Sequence, residues 1–170
     1  MAINRGKQFE QTIKDAFLKV TNVSVDRLHD QTTGYKHSSA NICDFIVYKK
    51  PGLFYIECKT THGNTLPFSN ISANQWDGLL EKSKIDGVAA GIICWWVDRD
   101  VTWFIPIQFL QKAREAGFVS VPFDFDKKWV LDGYSSDIMP IAIGGKKKRV
   151  FFEYNMVRFL EELSLTTHWG

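Results

Sequence analysis

The sequence predicts an α/β protein in which one mixed β-sheet is flanked by helices. Apolar stretches with strand character occur in two pairs along the chain, and stretches with helical character precede, separate and follow these pairs. The 170 residues are 45% hydrophobic and 24% charged, which is enough to bury a core within the usual size of a domain. Because the chain shows neither an internal repeat nor a linker, we expect residues 1–170 to form a single domain.

The first predicted helix covers residues 4–20. Phe9, Ile13 and Val20 lie on one apolar stripe of this segment, and Asn4 is a suitable N-cap. The next residues, 21–41, are polar and contain several serine, threonine and asparagine residues. They predict a loop or a short stalk that contacts a substrate or a partner.

Two short strands and the turn between them form the first predicted hairpin. Residues 45–48 and 53–56 have strand character, and the lysines, proline and glycine at 49–52 are typical of a turn. The remaining elements are predicted in chain order: a helix at 72–84, a central strand at 88–97 covered on both faces, a turn at 98–100, a strand at 101–105, a helix at 107–116 ended by Gly117, strand character near Ile141, and a last helix at 153–163.

Two acidic residues and a lysine occupy positions that predict a metal-dependent nuclease. Glu57, Cys58 and Lys59 follow the second strand of the hairpin, and Asp44 stands directly before the first strand. Because side chains alternate along a strand, Glu57 and Lys59 point to the same side, and the hairpin brings Asp44 beside Glu57. Carboxylates of this kind can hold a hard divalent cation, which orients an attacking water and offsets charge on the phosphorus.

The same residues resemble the motifs of a known nuclease superfamily. Asp44, twelve intervening residues and the sequence Glu57-Cys58-Lys59 resemble the motif of the PD-(D/E)XK nucleases. Within that superfamily, similarity to RecU-type Holliday junction resolvases lies in residues 4–10, in the segment from Leu66 to Gln75, and in Gly145 with the basic run 146–149 followed by an apolar stretch. The segment 21–41 departs from that family because it is short and lacks a proline-rich stalk. This abbreviated form would suit a compact, phage-encoded version.

The resemblance implies a restriction-endonuclease-like core and a set of roles for individual residues. It implies that Mg²⁺, with Mn²⁺ as a second candidate, is bound by Asp44, Glu57 and the backbone carbonyl of Cys58. Lys59 would position the attacking water and stabilise the transition state. Gln75 would assist orientation, and Glu10 on the first helix would act directly or through a water.

The expected substrate is branched DNA, and the expected assembly is a homodimer, because a two-fold dimer supplies one site for each of two symmetric strands. The net charge of +2 is small, so the position of the cations matters more than their number. Those near the motifs, or clustered in the basic run, are the candidate DNA-binding residues: Arg5, Lys7, Lys36, Lys146, Lys147, Lys148 and Arg149.

Several other classes of protein are disfavoured by composition. An apolar run of eighteen residues is absent and the first residues are polar, so we expect an intracellular, cytoplasmic protein. The three scattered cysteines predict buried side chains rather than disulfides or a zinc site. Two alternatives to a junction resolvase remain open: a restriction or repair endonuclease of the same fold that cuts duplex or other branched DNA, and a non-catalytic DNA-binding module.

Overall fold

The computed structural model describes residues 4–29, 40–125 and 139–166. Within these ranges the helices are α1 (Arg5–Leu18), α2 (Ala73–Lys82), α3 (Ile107–Glu115) and α4 (Met156–Thr166). The strands are β1 (Ser24–Arg27), β2 (Phe45–Lys49), β3 (Gly52–Thr61), β4 (Thr65–Pro67), β5 (Val88–Trp96), β6 (Val101–Pro106), β7 (Ser120–Pro122), β8 (Ile141–Ala142), β9 (Gly145–Lys147) and β10 (Phe152–Tyr154). Among the described helices, none combines the length and hydropathy that a membrane-spanning segment needs.

A six-stranded mixed sheet forms the centre of the fold, in the order β1-β2-β3-β5-β6-β8. Strands β3 and β5 run parallel, and the other neighbouring pairs are antiparallel. The crossover between β3 and β5 contains α2, as a parallel connection requires. The predicted mixed sheet flanked by helices is therefore confirmed.

The two faces of the sheet bury separate apolar clusters. On one face, α1 and α4 pack against the sheet through side chains such as Phe9, Ile13 and Phe159. On the other face, α2 and α3 contribute residues such as Trp76 and Leu110. Strand β5 is buried along nearly its whole length, which explains its continuous apolar sequence. The sheet thus separates α1 from α2 while both remain close to β3.

The first helix and the first hairpin agree with the sequence predictions. Asn4 caps α1, because its side-chain oxygen accepts a hydrogen bond from the backbone N–H of Lys7 at 3.2 Å. Strands β2 and β3 pair in the register Phe45 to Ile56, and the turn between them includes Pro51. This register fixes the start of β2 against the middle of β3, where the acidic motif lies.

The structure corrects two of the predicted elements. Residues 21–41 are not wholly a loop or stalk, because Ser24–Arg27 form the edge strand β1, paired with β2. Val23 and Val25 pack on the apolar cluster beneath α1, so a short alternation of apolar and polar residues is enough to form this edge strand. The last helix begins at Met156 rather than at residue 153, because Glu153 belongs to β10 and pairs with Lys146 in β9. Residues 30–39 lie outside the described residues.

Candidate active site

Asp44 lies where the first hairpin opens. The ladder between β2 and β3 ends at Phe45 and Ile56, whereas β3 continues to Thr61. Beyond the end of this ladder, the carboxylate oxygen Oδ2 of Asp44 accepts a hydrogen bond from the backbone N–H of Cys58 at 2.8 Å. The Asp44 side chain therefore accepts the hydrogen bond that a neighbouring strand would otherwise accept from the Cys58 N–H. This contact holds the carboxylate against β3.

The carboxyl groups of Asp44 and Glu57 lie within hydrogen-bonding reach of each other. Burial and the nearby charge of Glu57 raise the pKa of Asp44 from its ordinary value of 3.8 to about 7. Burial also raises the pKa of Glu57, and the adjacent ammonium of Lys59 opposes this effect. Two half-buried or buried acids this close repel each other when both are ionised, and a bound cation would relieve that repulsion.

Glu57, Lys59 and Gln75 form a connected group on the α2 side of the sheet. Lys59 Nζ lies 2.8 Å from Glu57 Oε1 and donates a hydrogen bond to Gln75 Oε1 at 3.1 Å. The amide nitrogen of Gln75 donates to the same oxygen of Glu57 at 2.7 Å. Because Oε1 receives both donors, the second oxygen, Oε2, is the one that can serve a cation. Only 4% of the surface of Glu57 is exposed.

Glu10 approaches the site from the opposite face, through α1. Its charge acts on both Asp44 and Glu57, so the three acids belong to one electrostatic cluster. Burial is the largest cause of the raised pKa of Glu10, followed by the charge of Asp44, and a salt bridge from Arg27 opposes both effects. The structure therefore brings together the predicted residues Asp44, Glu57, Lys59, Gln75 and Glu10.

Arg27 is a site residue that the sequence analysis missed. Its guanidinium donates to the carboxylate of Glu10, and both side chains are largely covered. The signal was present in the sequence, because Val23, Val25 and Arg27 recur with the period of two that places side chains on one face of a strand. In a segment that is otherwise polar, so short an alternation does not by itself predict a strand.

The candidate DNA-binding residues divide into two groups. Arg5 and Lys7 are exposed at the start of α1, and the charge of Lys7 lowers the pKa of Glu10, which places this lysine on the side of the acids. In the basic run 146–149, Lys147 is salt-bridged to Asp100 and Lys148 to Glu153, with an N–O distance of 3.0 Å for the second pair. These two charges are partly neutralised within the chain. Lys36 lies outside the described residues.

The three cysteines are buried, as predicted. Burial raises the pKa of the Cys43 thiol to about 12, and it raises those of Cys58 and Cys94 well above their ordinary range. Thiols that stay protonated are poor nucleophiles and poor metal ligands. The chemistry of the site therefore belongs to the oxygen and nitrogen groups.

The donor set of the site fits a hard divalent cation. Asp44 and Glu57 supply oxygen ligands, and oxygen is the donor that Mg²⁺ prefers. Among the described residues, no group of three or more histidine, cysteine, aspartate or glutamate side chains is arranged to hold a metal ion. A cation here would need further ligands such as a backbone carbonyl, water and substrate phosphate, which is the usual arrangement for Mg²⁺ bound with a phosphorylated substrate.

Comparison with known proteins gives a likeness to a solved structure. No family model matches the chain, and no curated protein matches it. A solved structure of Hjc, described as a Holliday junction resolvase from the archaeal hyperthermophile Archaeoglobus fulgidus, aligns at 19% identity with a TM-score of 0.45. The alignment covers 62% of this chain and 75% of that chain. A likeness of this degree carries no statement about the activity of this chain.

Proposed function

We propose that this protein is a divalent-metal-dependent DNA endonuclease that hydrolyses phosphodiester bonds at the site formed by Asp44, Glu57 and Lys59. The observation that carries this proposal is the close approach of three side chains. The carboxyls of Asp44 and Glu57 lie within hydrogen-bonding reach of each other, and the ammonium of Lys59 lies 2.8 Å from Glu57. Acids held this close are unfavourable for a metal-free fold, and they are suited to a shared cation.

The ligands proposed for Mg²⁺, or for Mn²⁺, are one oxygen each from Asp44 and Glu57 and the backbone carbonyl of Cys58. A strand residue presents its N–H and its C=O to the same neighbour, and the N–H of Cys58 is directed at Asp44. This geometry favours a Cys58 carbonyl on the Asp44 side of β3. When bound, the cation would lower the pKa of a coordinated water and offset the charge that develops on the phosphoryl oxygens.

The protein's own residues have complementary roles in this mechanism. The Lys59 ammonium would hold the attacking water in line with the phosphorus and stabilise the negative charge that develops there. Gln75 keeps Lys59 and Glu57 together through its two hydrogen bonds. Arg27 restrains Glu10, which is the candidate to act on the site directly or through a water.

The proposed substrate is a four-way DNA junction, and the proposed assembly is a homodimer. The support is the sequence resemblance to RecU-type resolvases, in which motifs at the start, middle and end of the chain occur in the same order. A two-fold dimer would present two sites to the two symmetric strands of a junction. Lys146 and Arg149, exposed in and after β9, are candidates for the contact with DNA phosphates.

The experiment that tests this function compares three proteins on two DNA substrates. Wild type, Lys59→Ala and Lys84→Ala are incubated with a labelled four-way junction and with a linear duplex of matched sequence, each in Mg²⁺ or EDTA. Lys84 is the matched control, because it is an exposed lysine near the far end of α2, paired with Glu81. We expect paired nicks in the junction with wild type and Lys84→Ala, in Mg²⁺ only.

For Lys59→Ala we expect a loss of about 100-fold or more in the cleavage rate with DNA binding retained, the scale seen when one transition-state donor is removed. Equal cutting of the duplex would overturn the junction specificity and keep the nuclease. Cleavage in EDTA, or full activity of Lys59→Ala, would overturn the proposed mechanism. Binding without cleavage by wild type would favour the non-catalytic module.

A further inference from the structure

Helix α2 begins with a reciprocal capping box formed by Ser72 and Gln75. The side-chain oxygen of Ser72 accepts from the backbone N–H of Gln75 at 3.2 Å, and the Gln75 side-chain oxygen accepts from the backbone N–H of Ser72 at 3.1 Å. This arrangement satisfies two backbone donors that the first turn of a helix otherwise leaves without partners. The sequence signal is a serine followed three residues later by a glutamine.

The glutamine that completes this cap is also the glutamine of the candidate active site. Its Oε1 atom accepts from the Ser72 N–H and from Lys59 Nζ, both at 3.1 Å. Its Nε2 atom donates to Glu57 Oε1 at 2.7 Å. One side chain therefore joins the start of a helix to the two motif residues on β3.

The Ser72 N–H and the Lys59 ammonium together determine which way the Gln75 amide faces. An amide accepts only at its oxygen and donates only at its nitrogen, whereas a backbone N–H and an ammonium can only donate. With Ser72 and Lys59 at one end, the oxygen must face them, and the nitrogen is left to face the Glu57 carboxylate. In the reversed orientation, donors would meet donors at one end and two oxygens would meet at the other.

We propose that Ser72 is a positioning residue for the active site, and that it acts through Gln75 to hold Lys59 and Glu57 in their working arrangement. This inference rests on the proposed nuclease function for its kinetic consequence. Its structural part, the direction of the Gln75 amide, stands on the hydrogen bonds alone. With the cap broken, Gln75 can rotate away, and Lys59 then loses one of the two oxygens that restrain it.

Two substitutions at Ser72 separate the side-chain hydroxyl from the backbone N–H. Ser72→Ala removes the hydroxyl and keeps the N–H, whereas Ser72→Pro removes both. The backbone accommodates proline, because Ser72 has φ −66° and Ile71 before it is extended at φ −106°, ψ 118°. The difference between these two variants therefore reports the bond from the Ser72 N–H to Gln75 Oε1.

The kinetic test is a double-mutant cycle with Gln75→Ala, measured on the DNA that wild type cleaves. We expect Ser72→Pro to lower kcat on the order of tenfold, the scale of one hydrogen bond, with KM unchanged, and Ser72→Ala to lower it less. Ser72→Thr keeps both the hydroxyl and the backbone N–H, so its kcat should equal that of wild type. In the Gln75→Ala background, Ser72→Pro should have no further effect on kcat. Equal effects of Ser72→Pro with and without Gln75 would overturn the proposal.

The matched control removes a helix cap far from this group. Asn155 caps α4 by accepting from the Arg158 N–H at 3.1 Å. Asn155→Ala should lower stability by an amount similar to the loss of the Ser72 cap, because it too removes one helix N-cap, and it should leave kcat unchanged. A loss of kcat in Asn155→Ala as large as that in Ser72→Pro would show a general effect of helix stability and would overturn a specific role for Ser72.

A second readout does not depend on cleavage. The side-chain NH₂ signals of Gln75, identified by their absence in Gln75→Ala, are followed by NMR in metal-free protein. In wild type and Asn155→Ala we expect separated, slowly exchanging signals, because the amide nitrogen bonds to Glu57. In Ser72→Pro they should move towards free-glutamine values and exchange faster. If wild type cleaves no DNA, the nuclease proposal fails, but the NMR test still decides the position of the Gln75 amide. Unchanged Gln75 signals in Ser72→Pro would overturn the proposed role of Ser72.

Discussion

Replacing Asp44 with asparagine should abolish cleavage and, in the absence of metal, stabilise the fold. The carboxyl of Asp44 lies beside that of Glu57. Burial and this neighbouring charge raise the pKa of Asp44 from its ordinary value of 3.8 to about 7. Asparagine has nearly the same shape, and its side-chain oxygen can still accept from the Cys58 N–H. Its amide nitrogen can donate to Glu57, so the substitution exchanges a repulsion for a hydrogen bond while it removes a metal ligand.

The size and pH dependence of this gain follow from the raised pKa. A carboxyl with a raised pKa favours the folded state below pH 3.8 and loses that contribution as the pH rises through about 7. The separation of about three pH units corresponds to at most about 4 kcal/mol, at about 1.4 kcal/mol for each unit. Because Asp44 shares its environment with Glu57 and keeps some solvent contact, we expect a net gain of about 1–3 kcal/mol for Asp44→Asn at about pH 8.

The assay is urea unfolding of wild type and Asp44→Asn in EDTA, at about pH 5 and about pH 8. The gain should be larger at the higher pH by roughly 1 kcal/mol or more, because most of the Asp44 titration lies between these values. Added Mg²⁺ should raise the urea midpoint of wild type, because a ligand that binds the folded state stabilises it. It should not raise the midpoint of Asp44→Asn, because the variant lacks one of the proposed metal ligands. Asp98→Asn is the matched control.

The exposed carboxylate of Asp98 accepts from the Gly63 N–H and from His62, and its pKa is lowered, so its replacement should bring no gain. The reasoning would be refuted if Asp44→Asn were less stable than wild type at both pH values. A gain that does not change with pH would refute it equally, because the stabilisation would then have another origin.

Three further predictions concern other parts of the chain. Arg27→Ala should destabilise the metal-free protein by about 1–3 kcal/mol, measured by urea unfolding near neutral pH. Adding Glu10→Gln to this variant should recover most of the loss, because the carboxylate that has lost its partner is then removed. Gly91→Ala should cost about 3 kcal/mol, seen as a lower melting temperature with retained helix signal, because a Cβ there would lie 2.4 Å from a backbone oxygen of β6. Lys146→Ala should reduce the slope of log K against log salt for DNA binding by about 1, whereas Lys147→Ala, already salt-bridged within the chain, should change it less.

Local patterns determined much of this fold. The helical stripe and N-cap of α1, the hairpin of β2 and β3, and the continuous apolar strand β5 each depend on neighbouring residues or on a single period, and all are found in the structure. The alternation along β3 places Glu57 and Lys59 on one face without reference to any tertiary contact. Features that depend on short-range geometry could therefore be inferred from the sequence.

The edge strand β1 and the start of α4 were decided by tertiary contacts. Two valines in a polar segment carry too little local signal to identify a strand, and β1 forms because β2 supplies its hydrogen bonds and α1 covers its apolar side. Likewise, Glu153 lies shortly before α4 in sequence but belongs to β10 and pairs with β9. Strand pairing joins residues that are distant along the chain, so local propensity does not determine it.

For the candidate site, the sequence by itself determined the residue types and the shared face of β3, whereas the tertiary structure decided which groups meet. The spacing of Asp44 and Glu57 predicted their proximity, and the hairpin register realises it. Only the packed sheet brings Arg27 to Glu10 and the Ser72–Gln75 cap to Lys59. The physical reason is that α1 and α2 lie on opposite faces of the sheet, so their distances to β3 depend on how both apolar clusters pack.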